Sequence, residues 1–185
     1  MRWEERLLDL FDDLEQQAAG LALVERDALV AEQSRSEYAA VALADRLHAS
    51  VGTRLLLDVG GPGALDGRLV RAGDGWCLLE VGGVEWVVVA AAVRAVRGLV
   101  DAGRSPEVRP LTARLGLGSA LRGLAGDRAQ VLLHRVDGST ARGRLGRVGR
   151  DFVEVLVGDE GGDGAAGRGH LEVLPFATLA ALRAG

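Results

Sequence analysis

Gly67-Arg68-Leu69-Val70-Arg71-Ala72-Gly73 returns, without a gap, as Gly143-Arg144-Leu145-Gly146-Arg147-Val148-Gly149. Trp76 then falls on Phe152 and Val81 on Val157. Upstream, Leu43, Leu47 and Gly52 align with Leu117, Leu121 and Gly126; downstream, Val93 to Arg97 align with Leu179 to Arg183. The ten extra residues of the second copy fall inside 158–169, a Gly- and Asp-rich stretch read as a hairpin loop. Loops absorb insertions, so a gap confined there is what a true repeat tolerates. A repeat of about 55 residues buries little surface alone, so the two copies constrain what the chain can fold into.

Within each copy the apolar period is two. Thr53–Asp58, Leu65–Ala72, Trp76–Val81, Val84–Val89 and Val93–Arg97 read as strands in the first copy. Asp127–Leu133, Thr140–Val148, Phe152–Val157, His170–Leu174 and Thr178–Leu182 read as strands in the second. Gly82-Gly83 and Asp137-Gly138 mark hairpin turns. Gly67 and Gly143 sit in mid-strand, where glycine marks a bend or a close backbone approach. Leu115–Ala125 reads as a short helix leading the second copy.

Ahead of the repeats the period is that of a helix. Trp3, Leu7, Leu10, Leu14, Leu21, Val24, Ala28 and Ala31 recur at steps of three and four on an acidic background. Ser34-Arg35-Ser36-Glu37 fits a capping box for a last helix running to about Ser50 and stopping at Gly52. The stripe through Trp3, Leu7, Leu10 and Leu14 suits either packing on the chain's own domain or an intermolecular coiled coil. The domains are therefore a helical arm over 1–40, a first unit over 41–98, a linker over 99–114 and a second unit over 115–185.

All 22 basic residues are arginine, and the net charge of −4 hides an asymmetry. Residues 1–48 hold eleven acids against five arginines, a balance of −6; residues 104–150 hold ten arginines against three acids, a balance of +7. Such a split suits contact with a polyanion, or docking of the acidic arm on the basic part.

The chemistry of an active site is not written here. The single cysteine, Cys77, excludes an internal disulfide and reads as a buried strand residue. His48, His134 and His170 form no ligand pair, and Asp159, Glu160 and Asp163 lack the spacing of a calcium loop. No phosphate loop, dinucleotide fingerprint or nucleophile elbow is present. The chain is expected not to be an enzyme, to hold no metal or cofactor and to act on no small-molecule substrate. The longest apolar run, Trp86–Val93, is strand-sized, so no membrane association is expected and the location expected is cytoplasmic.

A short helix, a strand, Gly-x-x-x-x-Gly-x-Leu, a turn, an apolar strand and a bend into a short last strand resemble the Sm-like fold. The resemblance covers 41–98 and 115–185 and is carried best by Gly138-Ser139-Thr140-Ala141-Arg142-Gly143-Arg144-Leu145 and by Val173-Leu174-Pro175-Phe176-Ala177-Thr178-Leu179. Met1-Arg2-Trp3-Glu4 with Leu10-Phe11-Asp12-Asp13-Leu14-Glu15 is similar to the opening of an uncharacterised actinobacterial family. The resemblance implies a mainly β chain, two tandem five-stranded Sm-like (SH3-like) barrels each led by a short helix, behind the helical arm. It also implies assembly into rings and RNA as a partner.

Two functions follow as expectations. One is an Sm-like homo-oligomer binding RNA through Arg142, Arg144, Arg147 and Arg150, which lie on one strand and its turn and suit phosphates or bases. The other is a protein-interaction module that self-assembles through its β units and arm, with those arginines solvated or paired within the chain.

Overall fold

The computed structural model describes residues 38–101, 114–127, 130–158 and 169–184, and scattered helical residues at 26, 32, 33, 35 and 36 ahead of them. The chain divides into two compact units, 1–41 and 42–185. Trp3, Leu7, Leu10 and Leu14 lie outside the described residues, as do most of the linker and the loop over 159–168.

The helix expected to run unbroken to Ser50 is interrupted. Residues 40–42 leave the helix, and α1 starts afresh at Leu43–Ala49. Asp45 supplies the reason: its carboxylate accepts the Ala42 backbone N–H at 2.9 Å and closes a new N-terminus. Ser50 ends the helix by donating its hydroxyl to the Arg46 carbonyl at 2.8 Å.

The strands follow the alternating pattern closely. In the first repeat they are β1 (Arg54–Val59), β2 (Gly63–Gly73), β3 (Trp76–Val81), β4 (Val84–Val89) and, after a single 3-10 turn at Ala90–Ala92, β5 (Val93–Arg97). The second repeat brings α2 (Leu117–Gly126), β6 (Gln130–Arg135), β7 (Thr140–Val148), β8 (Phe152–Val157) and β9 (His170–Pro175). A 3-10 turn at Phe176–Thr178 leads into its last strand, β10 (Leu179–Ala184).

Their assembly corrects the expected architecture. The strands form one antiparallel ten-stranded sheet in the order β5-β1-β2-β3-β4-β10-β6-β7-β8-β9, not closed into a barrel. Two five-stranded barrels behind a helical arm are therefore not what the chain builds; among the described residues from 42 onward there is one open sheet and two short α-helices. Closure of either repeat on itself would need its fourth strand to meet its fifth. Instead the free edge of β4 is taken by β10, with Ala181 opposite Val88, Leu182 opposite Val87 and Arg183 opposite Trp86. Unpaired strand edges demand partners, and alternation with mid-strand glycines states that a sheet bends without stating which edge its last strand meets.

The bend itself sits where the glycines predicted. A Cβ on Gly67 would run into the Glu80 carbonyl oxygen, and one on Gly143 into that of Leu156. Just beyond each glycine the ladder slips, between Leu69 and Arg71 and between Leu145 and Val148, which bends and twists the strand.

The bent sheet wraps two cores. One gathers Leu47, Leu55, Leu57, Leu69, Leu79 and Val88 and takes Ala180 and Ala181 from the second repeat. The other gathers Leu121, Leu133, Val153, Val155 and Leu182 and takes Trp76, Val87 and Val89 from the first. β4 and β10 thus bury both faces, Val88 toward one core and Val87 toward the other. Burial on both faces explains why they read as unbroken apolar runs. Cys77 is buried in the first core, and desolvation pushes its thiol up to about 12, so it is an inert core side chain.

Candidate functional site

The four expected arginines do not form one site. On β7, Arg142 and Arg144 alternate with buried Gly143 and Leu145 and stand on the exposed face. Arg144 lies opposite Gln130 on one side and Leu156 on the other, both neutral. Arg147, beyond the ladder slip, is turned to Glu154: its Nε donates to Oε2 at 2.9 Å and its Nη2 to Oε1 at 2.8 Å. This fork holds the Glu154 carboxyl below the usual carboxylate range. Arg150 is exposed at the β7–β8 turn.

Beside Arg142 a groove of about 520 Å³ runs between Arg135, Thr140, Val157 and Glu172. Its second guanidinium is answered from within the chain. Arg135 donates to a Glu172 carboxylate oxygen and, at 3.3 Å, to the Ser139 hydroxyl. The other Glu172 oxygen lies 3.3 Å from His170 Nε2. In the first repeat Asp66 stands at the position of Arg142 and accepts two hydrogen bonds from Arg54, at 2.8 and 3.1 Å. Among the described residues no group of three or more His, Cys, Asp or Glu could hold a metal ion. No helix there is long and apolar enough to cross a membrane.

The arrangement that sequence reasoning missed is the joint between the repeats. Besides the β4–β10 ladder it has a latch: Trp76 Nε1 donates to the Leu115 carbonyl at 2.8 Å, and the Asp74 N–H reaches the same oxygen at 3.1 Å. Trp86 is held between two partners, with the Arg183 guanidinium 5.5 Å from its ring centre and the His134 ring 5.2 Å away. Burial, with the Arg183 charge adding to it, lowers the pKa of His134.

The two ends of the sheet are the repeat counterparts of that joint. β9 corresponds to β4, and β5 to β10. Val87 is 6% exposed, whereas its counterpart Val173 is 56% exposed, with Leu171 and Leu156 exposed beside it. On β5, Arg94 and Ala95 are exposed where Ala180 and Ala181 of β10 are buried. Among the described residues no strand covers the outer edge of either β5 or β9. No protein-family model matches the chain, and no curated protein matches it in sequence.

Proposed function

We propose that the chain is a non-enzymatic assembly module that continues its own sheet into further copies, β9 of one copy pairing with β5 of the next. One observation carries this reading: the two open edges occupy the repeat positions of two strands that pair inside the chain. Repeating the internal register sets Leu174 against Ala95, Val173 against Val96 and Glu172 against Arg97. The last pair is complementary in charge. Charged side chains at both edges also discourage indiscriminate pairing in water. Because the two edges differ, the contact is head-to-tail and leads to rings or filaments.

Light scattering across a concentration series tests the reading. The expected result is a mass that rises to multiples of the chain and collapses to one chain in Val173→Arg. A wild-type protein that stays monomeric throughout would sink the reading.

Contact with RNA is the second reading, and Arg144 favours it, being exposed between neutral neighbours. Binding of single-stranded RNA that weakens steeply with salt and is lost in Arg142→Ala plus Arg144→Ala is its expected signature. No binding at low salt excludes it.

A further inference from the structure

We propose that the ring of Phe152 is a docking platform for the start of α1 of a second copy, with Leu43 as the side chain seated on it. This rests on the assembly reading and adds to the strand pairing a second, separate point of contact.

The internal joint is the template. Trp76 lies over its turn glycine: a Cβ on Gly73 would collide with the indole. The edge of that indole is tied to the entry to α2, through the bond from Nε1 to the Leu115 carbonyl, and Trp76 and Leu117 share one core. Leu117, the first residue of α2, is 8% exposed. In the second repeat Phe152 lies over Gly149 in the same way, and a Cβ there would collide with its ring. The turn is held by the Gly149 N–H bonded to the Phe152 carbonyl at 2.9 Å, and by the Phe176 N–H bonded to the Asp151 carbonyl at 2.8 Å. Phe152 is only half-buried. At the other end Leu43, the counterpart of Leu117, is 44% exposed on α1. Among the described residues the first repeat thus has an exposed side chain at its helix start, and the second a half-exposed ring at its turn. A second copy in the internal register satisfies both.

The platforms differ in one group. Phenylalanine carries no N–H, so the bond that Trp76 gives to Leu115 has no equivalent between copies; the repeat counterpart of that acceptor is the Val41 carbonyl. The link between copies is therefore weaker than the joint within one, and Phe152→Trp should strengthen it.

Sedimentation equilibrium on the full chain tests this with two variants and a reference. Leu43 is a surface residue, so Leu43→Asp should keep its circular dichroism unchanged and weaken self-association about tenfold. Phe152→Trp should tighten it about fivefold and show a blue shift of the added tryptophan's fluorescence on association. Val173→Arg serves as reference. If both variants stay within about twofold of wild type while Val173→Arg dissociates, the platform is wrong and edge pairing stands. If the wild-type protein never associates, edge pairing fails, and the platform with it.

Discussion

The joint inside the chain and the two ends of its sheet use the same repeat positions with different side chains. At the joint, β4 offers Trp86-Val87-Val88-Val89 and β10 offers Leu179-Ala180-Ala181-Leu182, and both strands lose both faces to the cores. At the ends, Glu172 replaces Trp86, Pro175 replaces Val89 and Arg94 replaces Ala180. The joint forms once, during folding, and never meets water again. In the proposed assembly an end stays soluble until a partner arrives, so its apolar side chains, Val173 with Leu171 and Leu156, sit beside charged Glu172 and His170. On the assembly reading, the difference is the one that separates a permanent core from a reversible interface.

The largest expected effect tests that difference directly. Val87→Arg places a charge between the two repeats and should cost at least about 4 kcal/mol of stability. The same change at its counterpart, Val173→Arg, should cost less than about 0.5 kcal/mol and act on assembly alone. Urea unfolding of both variants checks this, and equal losses would erase the distinction.

A smaller effect concerns the latch. Trp76→Phe makes the internal platform resemble the terminal one, and loss of the indole bond to the Leu115 carbonyl should cost about 1–2 kcal/mol. Unchanged unfolding would remove the latch from the account.

The smallest effect is one of pH. The His134 ring lies tilted against Trp86 at the joint, and burial with the Arg183 charge lowers its pKa. With the folded value depressed, the unfolded chain takes up the proton first as the pH falls. Stability should then be full above the ordinary histidine range, near about pH 6.5, and decline as the pH drops through it. His134→Phe should flatten that decline in urea midpoints measured on either side of the range. A slope the variant leaves unchanged would assign the effect to another group.

Much of the fold was legible because alternation and turn chemistry are local. β3, β4, β5, β7 and β8 begin and end where the pattern places them. The repeat alone marks Gly67 and Gly143 as bends. Partner choice was not legible. An apolar run such as Trp86–Val89 states that a strand is buried on both faces, and that signal was available. The side chains do not name β10 as the strand that buries it. The arginines show the same limit: Arg142 and Arg144 were legible as one face, but the slip between Leu145 and Val148 turned Arg147 onto Glu154, a cross-strand event that spacing along β7 does not reveal.

The most direct test of the central claim fixes the register between copies. In the internal joint Leu182 lies opposite Val87, so Val96 of one copy belongs opposite Val173 of the next. The double variant Val96→Cys plus Val173→Cys, oxidised at neutral pH and run without reductant, should give a ladder of covalent multimers. Each single variant, and the shifted pair Val93→Cys plus Val173→Cys, should not. A double variant that stays a single chain, or a shifted pair that cross-links equally well, would contradict the claim that one sheet continues through successive copies.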